Sequence, residues 1–293
     1  SADYHVDVRC SDEIFKQLSQ NYLKFRNTCK FCLDNLVGFD ADHLVQPDEM
    51  LPLDKWAVTR LNTLIEKVFA AYDNYEFHVV SHMVNDFCVV DLSSFYFDII
   101  KDRLYCGEEN SLERRSAQSA VWMILDAMTR LFAPILAFTC DEVWLAMPHR
   151  AGDDARNVLL NQMVQPYAAY ALSEEEMGKW ARLAALRTAV NGALEQARAD
   201  KTIGKSLEAE VDLTVTAEDA FLTDMDAADL ADLLIVSQVR VEVGAEQSVA
   251  VRPANGAKCL RCWKVLPTVG SDAGHPDLCP RCAAVVKNLP VME

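Results

Sequence analysis

From Ser11 to about Asp200 the apolar residues recur at intervals of three and four, the spacing of one helix face, and beyond Gly204 the interval falls to two. Ile14, Phe15, Leu18, Tyr22, Phe25 and Cys29 predict a helix over 11–36. Ser11 or Asp12 caps it, and Asp12 and Glu13 suit its positive N-terminal end. After a polar loop from Asp40 to Pro52, a second helix begins near Asp54 and carries Trp56, Leu61, Leu64, Ile65, Val68 and Phe69. A third runs from about Glu76 to Tyr105 through Val79, Val80, Met83, Phe87, Phe95, Ile99 and Leu104, with Asp91 and Ser93 able to cap a restart in its middle. Ser111 opens a fourth, through Val121, Ile124, Leu125, Met128, Leu131 and Phe132, with Pro134 near its bend; Thr139 to Glu142 then lead into a short helix bearing Val143, Trp144 and Leu145. Ser173, followed by Glu174, Glu175 and Glu176, caps a last long helix ending near Asp200. Val211, Leu213 and Val215 alternate with Asp212 and Thr214 as a half-buried strand does, and Leu233–Val236, Val239–Val243 and Ser248–Arg252 read as further strands.

A chain of 293 residues, 51% hydrophobic, buries a sizeable core and divides into two or three units. Its longest apolar stretch, Ala120 to Cys140, is interrupted by Asp126, Thr129 and Arg130 and contains Pro134, which fits a kinked bundle helix better than a membrane span. The N-terminus, Ser1-Ala2-Asp3-Tyr4-His5, is polar and acidic, unlike a signal peptide, and lacks an initiator Met. A soluble, cytoplasmic protein is expected, either a fragment or a processed product. The formal net charge of −16 argues against nucleic-acid binding when taken alone. The charge is uneven, however. Seven acids and no Lys or Arg lie between Asp212 and Asp232, whereas Gly256 to Pro290 carries Lys258, Arg261, Lys264, Arg281 and Lys287 against Asp272 and Asp277.

That last segment holds the densest chemistry. Cys259-x2-Cys262 and Cys279-x2-Cys282 are two thiol pairs separated by sixteen residues, and four thiolates in tetrahedral array suit one structural Zn²⁺ with no position open for catalysis. Two disulfides are the alternative. Against them, Cys10, Cys29, Cys32, Cys88, Cys106 and Cys140 stand singly or in helical apolar stretches, as reduced cysteines do. A zinc centre with four thiolates would take the net charge to about −18. Cys29-x2-Cys32 has no second pair nearby and reads as core packing; His78 and His82, at i and i+4, lack an evident third ligand; His275 reads as loop. Arg182, Arg187 and Arg198 read as a solvated helix face, and Trp263 as packing over the metal site. No GxSxG, HExxH, Walker loop or GxGxxG is present. The predicted fold class is mainly α: an antiparallel helical bundle (1–165), a helix plus a small α/β connecting subdomain (166–252), and a four-cysteine zinc knuckle, or C-terminal zinc finger (253–293).

Several stretches carry a family resemblance. Asp12-Glu-Ile, Tyr22-Leu-Lys-Phe-Arg-Asn-Thr28, Leu53-Asp-Lys-Trp-Ala-Val-Thr-Arg-Leu-Asn62, Asp91-Leu-Ser-Ser-Phe-Tyr-Phe97 and Leu131-Phe-Ala-Pro-Ile-Leu-Ala-Phe-Thr-Cys-Asp-Glu-Val-Trp144 resemble the anticodon-binding bundle of class I aminoacyl-tRNA synthetases. Lys201-Thr-Ile-Gly-Lys-Ser-Leu-Glu-Ala209, with Lys258-Cys-Leu-Arg-Cys-Trp263 and Cys279-Pro-Arg-Cys282, is similar to the C-terminal region of bacterial-type isoleucyl-tRNA synthetases. The resemblance covers essentially the whole chain. It implies a monomeric tRNA-recognition piece of an enzyme that joins isoleucine to tRNA(Ile) using ATP, with no DNA or membrane partner. The family's HIGH-like and KMSKS-like motifs, which handle ATP, and its editing domain belong upstream and do not occur here, so this piece should neither aminoacylate nor edit alone.

Anticodon bases are single-stranded, so stacking and base-edge hydrogen bonds carry specificity while Lys and Arg hold phosphates. Within the resembling motifs the candidates for RNA contact are Lys24, Arg26, Asn27, Arg60 and Asn62, with Lys201 and Lys205 flanking Ile203-Gly204. Each can equally be an intrabundle partner or a solubilising surface residue. Two other readings stay open: a DNA-binding finger, since the cysteine spacing resembles that of formamidopyrimidine-DNA glycosylases, and a helical scaffold stapled by zinc. The glycosylase reading lacks its catalytic N-terminal proline, because the chain starts Ser1-Ala2.

Overall fold

The computed structural model describes residues 2–8 and 10–289 and divides them into two compact units. The first comprises the chain up to Leu104 together with Glu109–Leu172; the second comprises Tyr105–Glu108 and the chain from Ser173 onward. The final residues of the predicted knuckle, 290–293, lie outside the described residues.

The first unit is helical. It contains α1 (Asp12–Asn35), α2 (Pro52–Asp73), α3 (Phe77–Asp86), α4 (Phe97–Cys106, whose last two residues belong to the second unit), α5 (Leu112–Phe132) and α6 (Ala137–Ala146). Ser11 caps α1, its Oγ accepting from the Ile14 N–H at 3.3 Å. α2 starts with Pro52 in its first turn, where a missing N–H costs nothing, and the Leu51 N–H just ahead donates to Ser116 Oγ at 2.9 Å. α5 is the buried axis of this unit, with Ser116–Thr129 buried throughout. That accounts for the long apolar run in the sequence. The run is two helices rather than one kinked one: α5 stops at Phe132, and Pro134 sits in the turn before α6. No described helix is long and apolar enough to cross a membrane.

Between α3 and α4 the chain stays helical but widens to a π-helix over Phe87–Tyr96. Asp91 and Ser93 do not cap a restart there. Ser93 Oγ donates to the Cys88 carbonyl and Ser94 Oγ to that of Val89, both at 2.7 Å and both reaching back five residues, while Asp91 pairs with Arg60. A polar network fastens the loop after α6: Arg130 donates to Asp126 and Asp153, each at 2.7 Å, and its guanidinium lies 4.7 Å from the Trp144 ring.

The second unit begins with α7 (Glu174–Ala199), closed at its start by a reciprocal capping box of Ser173 and Glu176. β1 (Ala209–Val215) is the centre of a three-stranded sheet, parallel to β2 (Gln238–Val243) and antiparallel to β3 (Ser248–Pro253), in the order β2-β1-β3. α8 (Ala227–Leu234) makes the crossover between the two parallel strands. Leu233–Val236 is therefore not a strand. Leu233 and Leu234 close α8, and Ile235 turns left-handed at φ 56° to end it. A short hairpin of β4 (Ala257–Lys258) and β5 (Val265–Leu266) and a final helix, α9 (Pro280–Asn288), complete the unit. Gly256, at φ 121°, enters the hairpin so close to the Leu266 backbone that a Cβ would stand 2.2 Å from its carbonyl carbon.

Candidate metal centre and nucleic-acid surface

Local backbone geometry delivers the four thiols to one point. Cys259 and Cys262 occupy the turn of the β4–β5 hairpin, closed by Cys259 N–H to Lys264 O and Trp263 N–H to Cys259 O, each at 2.9 Å. Trp263 makes that turn in the left-handed region, at φ 65°. Cys279 is the N-cap of α9 and Cys282 lies in its first turn, with Pro280 between them setting the helix start. The positive end of α9 thus faces two of the sulfurs, which favours thiolates. The Cys279 N–H points at Cys259 Sγ from 3.4 Å.

All four cysteines are buried, their sulfurs lie within 4.8 Å of one another, and the Cys262 and Cys279 sulfurs are 3.9 Å apart. A tetrahedron with Zn–S of about 2.3 Å has edges of ~3.8 Å. The donor set fits zinc in type, number and spacing. Mutual repulsion otherwise resists ionising every thiol: Cys262 is pushed up to about 12 by its hydrogen bond to Cys282 and then by burial, while that same bond lowers Cys282. A dication at the centre removes the obstacle. His275 is not in this group.

Cys106, one of the single cysteines, joins the knuckle's small core within the second unit. Its thiol faces the Arg261 carbonyl at 3.7 Å, and Arg261 Nη1 donates to the Cys106 carbonyl at 2.5 Å. Two of the knuckle's cations are neutralised locally, Lys264 by Asp232 and Lys287 by Asp272. The knuckle is accordingly less basic than its composition suggests.

The residues predicted to touch RNA fall into three groups. Lys24, Arg26 and Asn27 are exposed on α1, and among the described residues neither cation has an ion-pair partner. On α2, Arg60 makes a two-pronged contact with Asp91, at 2.9 and 3.1 Å. Asn62 is only 7% exposed; it accepts from the Tyr167 N–H at 2.7 Å and donates to the Tyr167 carbonyl at 3.2 Å. Lys201 and Lys205 are exposed in the turn after α7, Lys201 left-handed at φ 58°.

Trp263 does not pack over the metal site. It is 56% exposed, and the Lys205 ammonium lies 5.5 Å above its ring. The sequence carried no signal for this, because the exposure follows from the left-handed turn. Arg182, Arg187 and Arg198 are not a uniform solvated face. Arg187 is buried, Arg182 pairs with Asp219, and Arg198 pairs with Glu195. Cys29 and Cys32 pack in the bundle core as expected, and burial raises both thiols out of the reactive range.

Comparison with known proteins agrees with this geometry. The family described as "Anticodon-binding domain of tRNA ligase" matches residues 54–213, and "Zinc finger found in FPG and IleRS" matches residues 256–285. Isoleucine–tRNA ligase of Desulforamulus reducens is 45% identical over 98% of this chain, that of Geobacter sulfurreducens 44% over 97%, and that of Moorella thermoacetica 42% over 99%. In each case the chain spans 32% of the relative's length. The finger match and the buried four-thiol cluster together support one structural zinc. The bundle, the finger and the order in which they follow one another place the chain in the anticodon-binding domain family of tRNA ligases, and it matches the C-terminal region of isoleucyl-tRNA synthetases.

Proposed function

We propose that this chain is the tRNA-recognition region of an isoleucine–tRNA ligase, acting as a monomer in the cytoplasm, and that the whole protein joins isoleucine to tRNA(Ile) using ATP. The observation that carries the reading is the succession, in one chain, of an anticodon-binding bundle and a buried four-thiol knuckle. In this reading residues 1–165 meet the anticodon arm, 166–252 connect, and 253–293 form the metal module, with Cys259, Cys262, Cys279 and Cys282 as the zinc ligands. Lys24, Arg26, Asn27, Lys201 and Lys205 are the direct RNA contacts, since their donors face solvent. Arg60 and Asn62 act from beneath, holding Asp91 and the Tyr167 backbone in place. Trp263 adds an exposed ring on which an unpaired base can stack.

The test is binding of the zinc-loaded chain to a tRNA(Ile) transcript against the same transcript with a swapped anticodon, at two salt concentrations. Preference for the native anticodon, with affinity falling as salt rises, is expected. Equal affinity for both transcripts, or tighter binding to a DNA duplex, would overturn the reading.

A further inference from the structure

Although the chain is acidic overall, three lysines gather around one carboxylate at the end of α7. Lys201 and Glu208 line a groove of about 430 Å³ together with Arg198 and Gly204. Arg198 is committed to Glu195 at 2.6 Å and to Ser206 Oγ at 3.0 Å. Lys201, Lys205 and Lys258 are exposed, and among the described residues none of the three is in an ion pair. Glu208 is the groove's own anion. Its Oε2 accepts from the Gly204 N–H at 2.9 Å and from the Lys205 N–H at 3.2 Å. Those two bonds first, and then the charges of Lys258 and Lys205, hold the carboxyl below its ordinary range.

We propose that this groove is a phosphate subsite for the RNA backbone, and that Glu208 is a built-in competitor which fills it in the free chain and swings out when RNA arrives. This rests on the reading that the chain binds tRNA. The chemistry is one of substitution. A carboxylate oxygen and a non-bridging phosphate oxygen take the same N–H donors and the same ammonium partners. Glu208 is tethered, so its effective concentration excludes an isolated phosphate ion. A polyanion held at several points, and gaining from counterion release, can displace it. The carboxylate thereby raises the threshold for weak, non-specific polyanions, which is discrimination by a repulsive element.

The decisive variant is Glu208→Gln, which removes the charge but keeps the side chain's length and an acceptor for Gly204 and Lys205. With the full zinc-loaded chain, its affinity for the tRNA(Ile) transcript should rise roughly fivefold at low salt, the effect of one exposed charge contact. The slope of log affinity against log salt should steepen by about 0.7–0.9, one further phosphate. Lys201→Ala and Lys205→Ala should shift both quantities the other way. Glu208→Asp keeps the charge and should show no gain.

Unchanged or weaker binding by Glu208→Gln, while Lys201→Ala still weakens RNA, would make Glu208 a mere turn cap and sink the proposal with the tRNA reading intact. An equal gain in Glu208→Asp would assign the effect to a loosened turn and also sink it. Inorganic phosphate is the second arm: if it binds Glu208→Gln as tightly as RNA does, the site is for free phosphate and not for a backbone. Absence of tRNA binding by any form at any salt would remove the underlying reading, and this proposal with it.

Discussion

Asp54 shows how one residue can tie a helical unit together. It is fully buried at the start of α2 and accepts from Tyr96 Oη at 2.7 Å, from Ser116 Oγ at 2.6 Å and from Arg103 Nη1 at 3.4 Å, so it joins α2 to the π segment, α4 and α5. Burial pushes its carboxyl above the ordinary value of 3.8, against the opposing pull of Arg103. The folded state therefore holds the proton more tightly than the unfolded one. Asp54's contribution is fully present below pH 3.8 and is lost as pH rises through the raised value. Asp54→Asn, which cannot ionise, should gain stability relative to the native chain as pH rises from 3.8 to neutrality, read from urea midpoints. Parallel pH profiles for the two would refute this. At pH 7, Asp54→Ala should cost about 3–5 kcal/mol, because Arg103 and two hydroxyls lose their acceptor. None of this was legible from Leu53-Asp54-Lys55, where the acid reads as a first-turn charge. Only packing turns it inward.

At the scale of elements, local chemistry was most legible where it closes on itself. The cap of α7 needs only Ser173 and Glu176: the Glu176 N–H donates to Ser173 Oγ at 3.3 Å and the Ser173 N–H to Glu176 Oε2 at 2.8 Å. Ser173→Ala should lower the stability of the second unit by about 1 kcal/mol, seen as a lower denaturant midpoint with an unchanged slope. Elements were misread where two physical solutions share one pattern. Leu233–Val236 is an apolar run too short for periodicity to separate strand from buried helix end, and Asp226, which caps α8 through the Ala228 N–H at 2.7 Å, lies upstream of it. The π segment was hidden for a similar reason. Its apolar spacing is helical, and the hydroxyls of Ser93 and Ser94 that satisfy its widened turns look, in sequence, like cap residues.

At the scale of the whole molecule, the two units rest on different sources of stability. The first encloses the buried α5 and has its own core. The knuckle's core is little more than its cysteines with Leu266, Val269 and Leu278 packed against them. Binding of zinc to such a site contributes roughly 10–16 kcal/mol in small knuckles at neutral pH. Chelation of the metal, or Cys279→Ser, should therefore unfold the described part of the segment from residue 256 onward and leave the bundle's helical signal in place. Amide exchange resolved by segment, alongside far-UV circular dichroism, reads both; cooperative loss of all helicity would refute this division.

Neighbours along the chain were enough to establish the helices and their caps, the switch to strand spacing beyond Gly204, and the two CxxC pairs whose spacing selects zinc. These features are local, because a cap, a period or a knuckle is set by residues three or four positions apart. Which polar groups remain available was settled only by folding. Asn62 and Arg60 stand among the same sequence candidates as the exposed residues of α1, yet Tyr167, more than a hundred residues on, takes the amide of Asn62, and Asp91 takes the guanidinium of Arg60. Trp263 and Glu208 are settled in the same way, the first by a left-handed turn and the second by N–H donors that its own turn presents to it. A side chain's partner depends on distances in space, and those distances do not exist until the chain has folded.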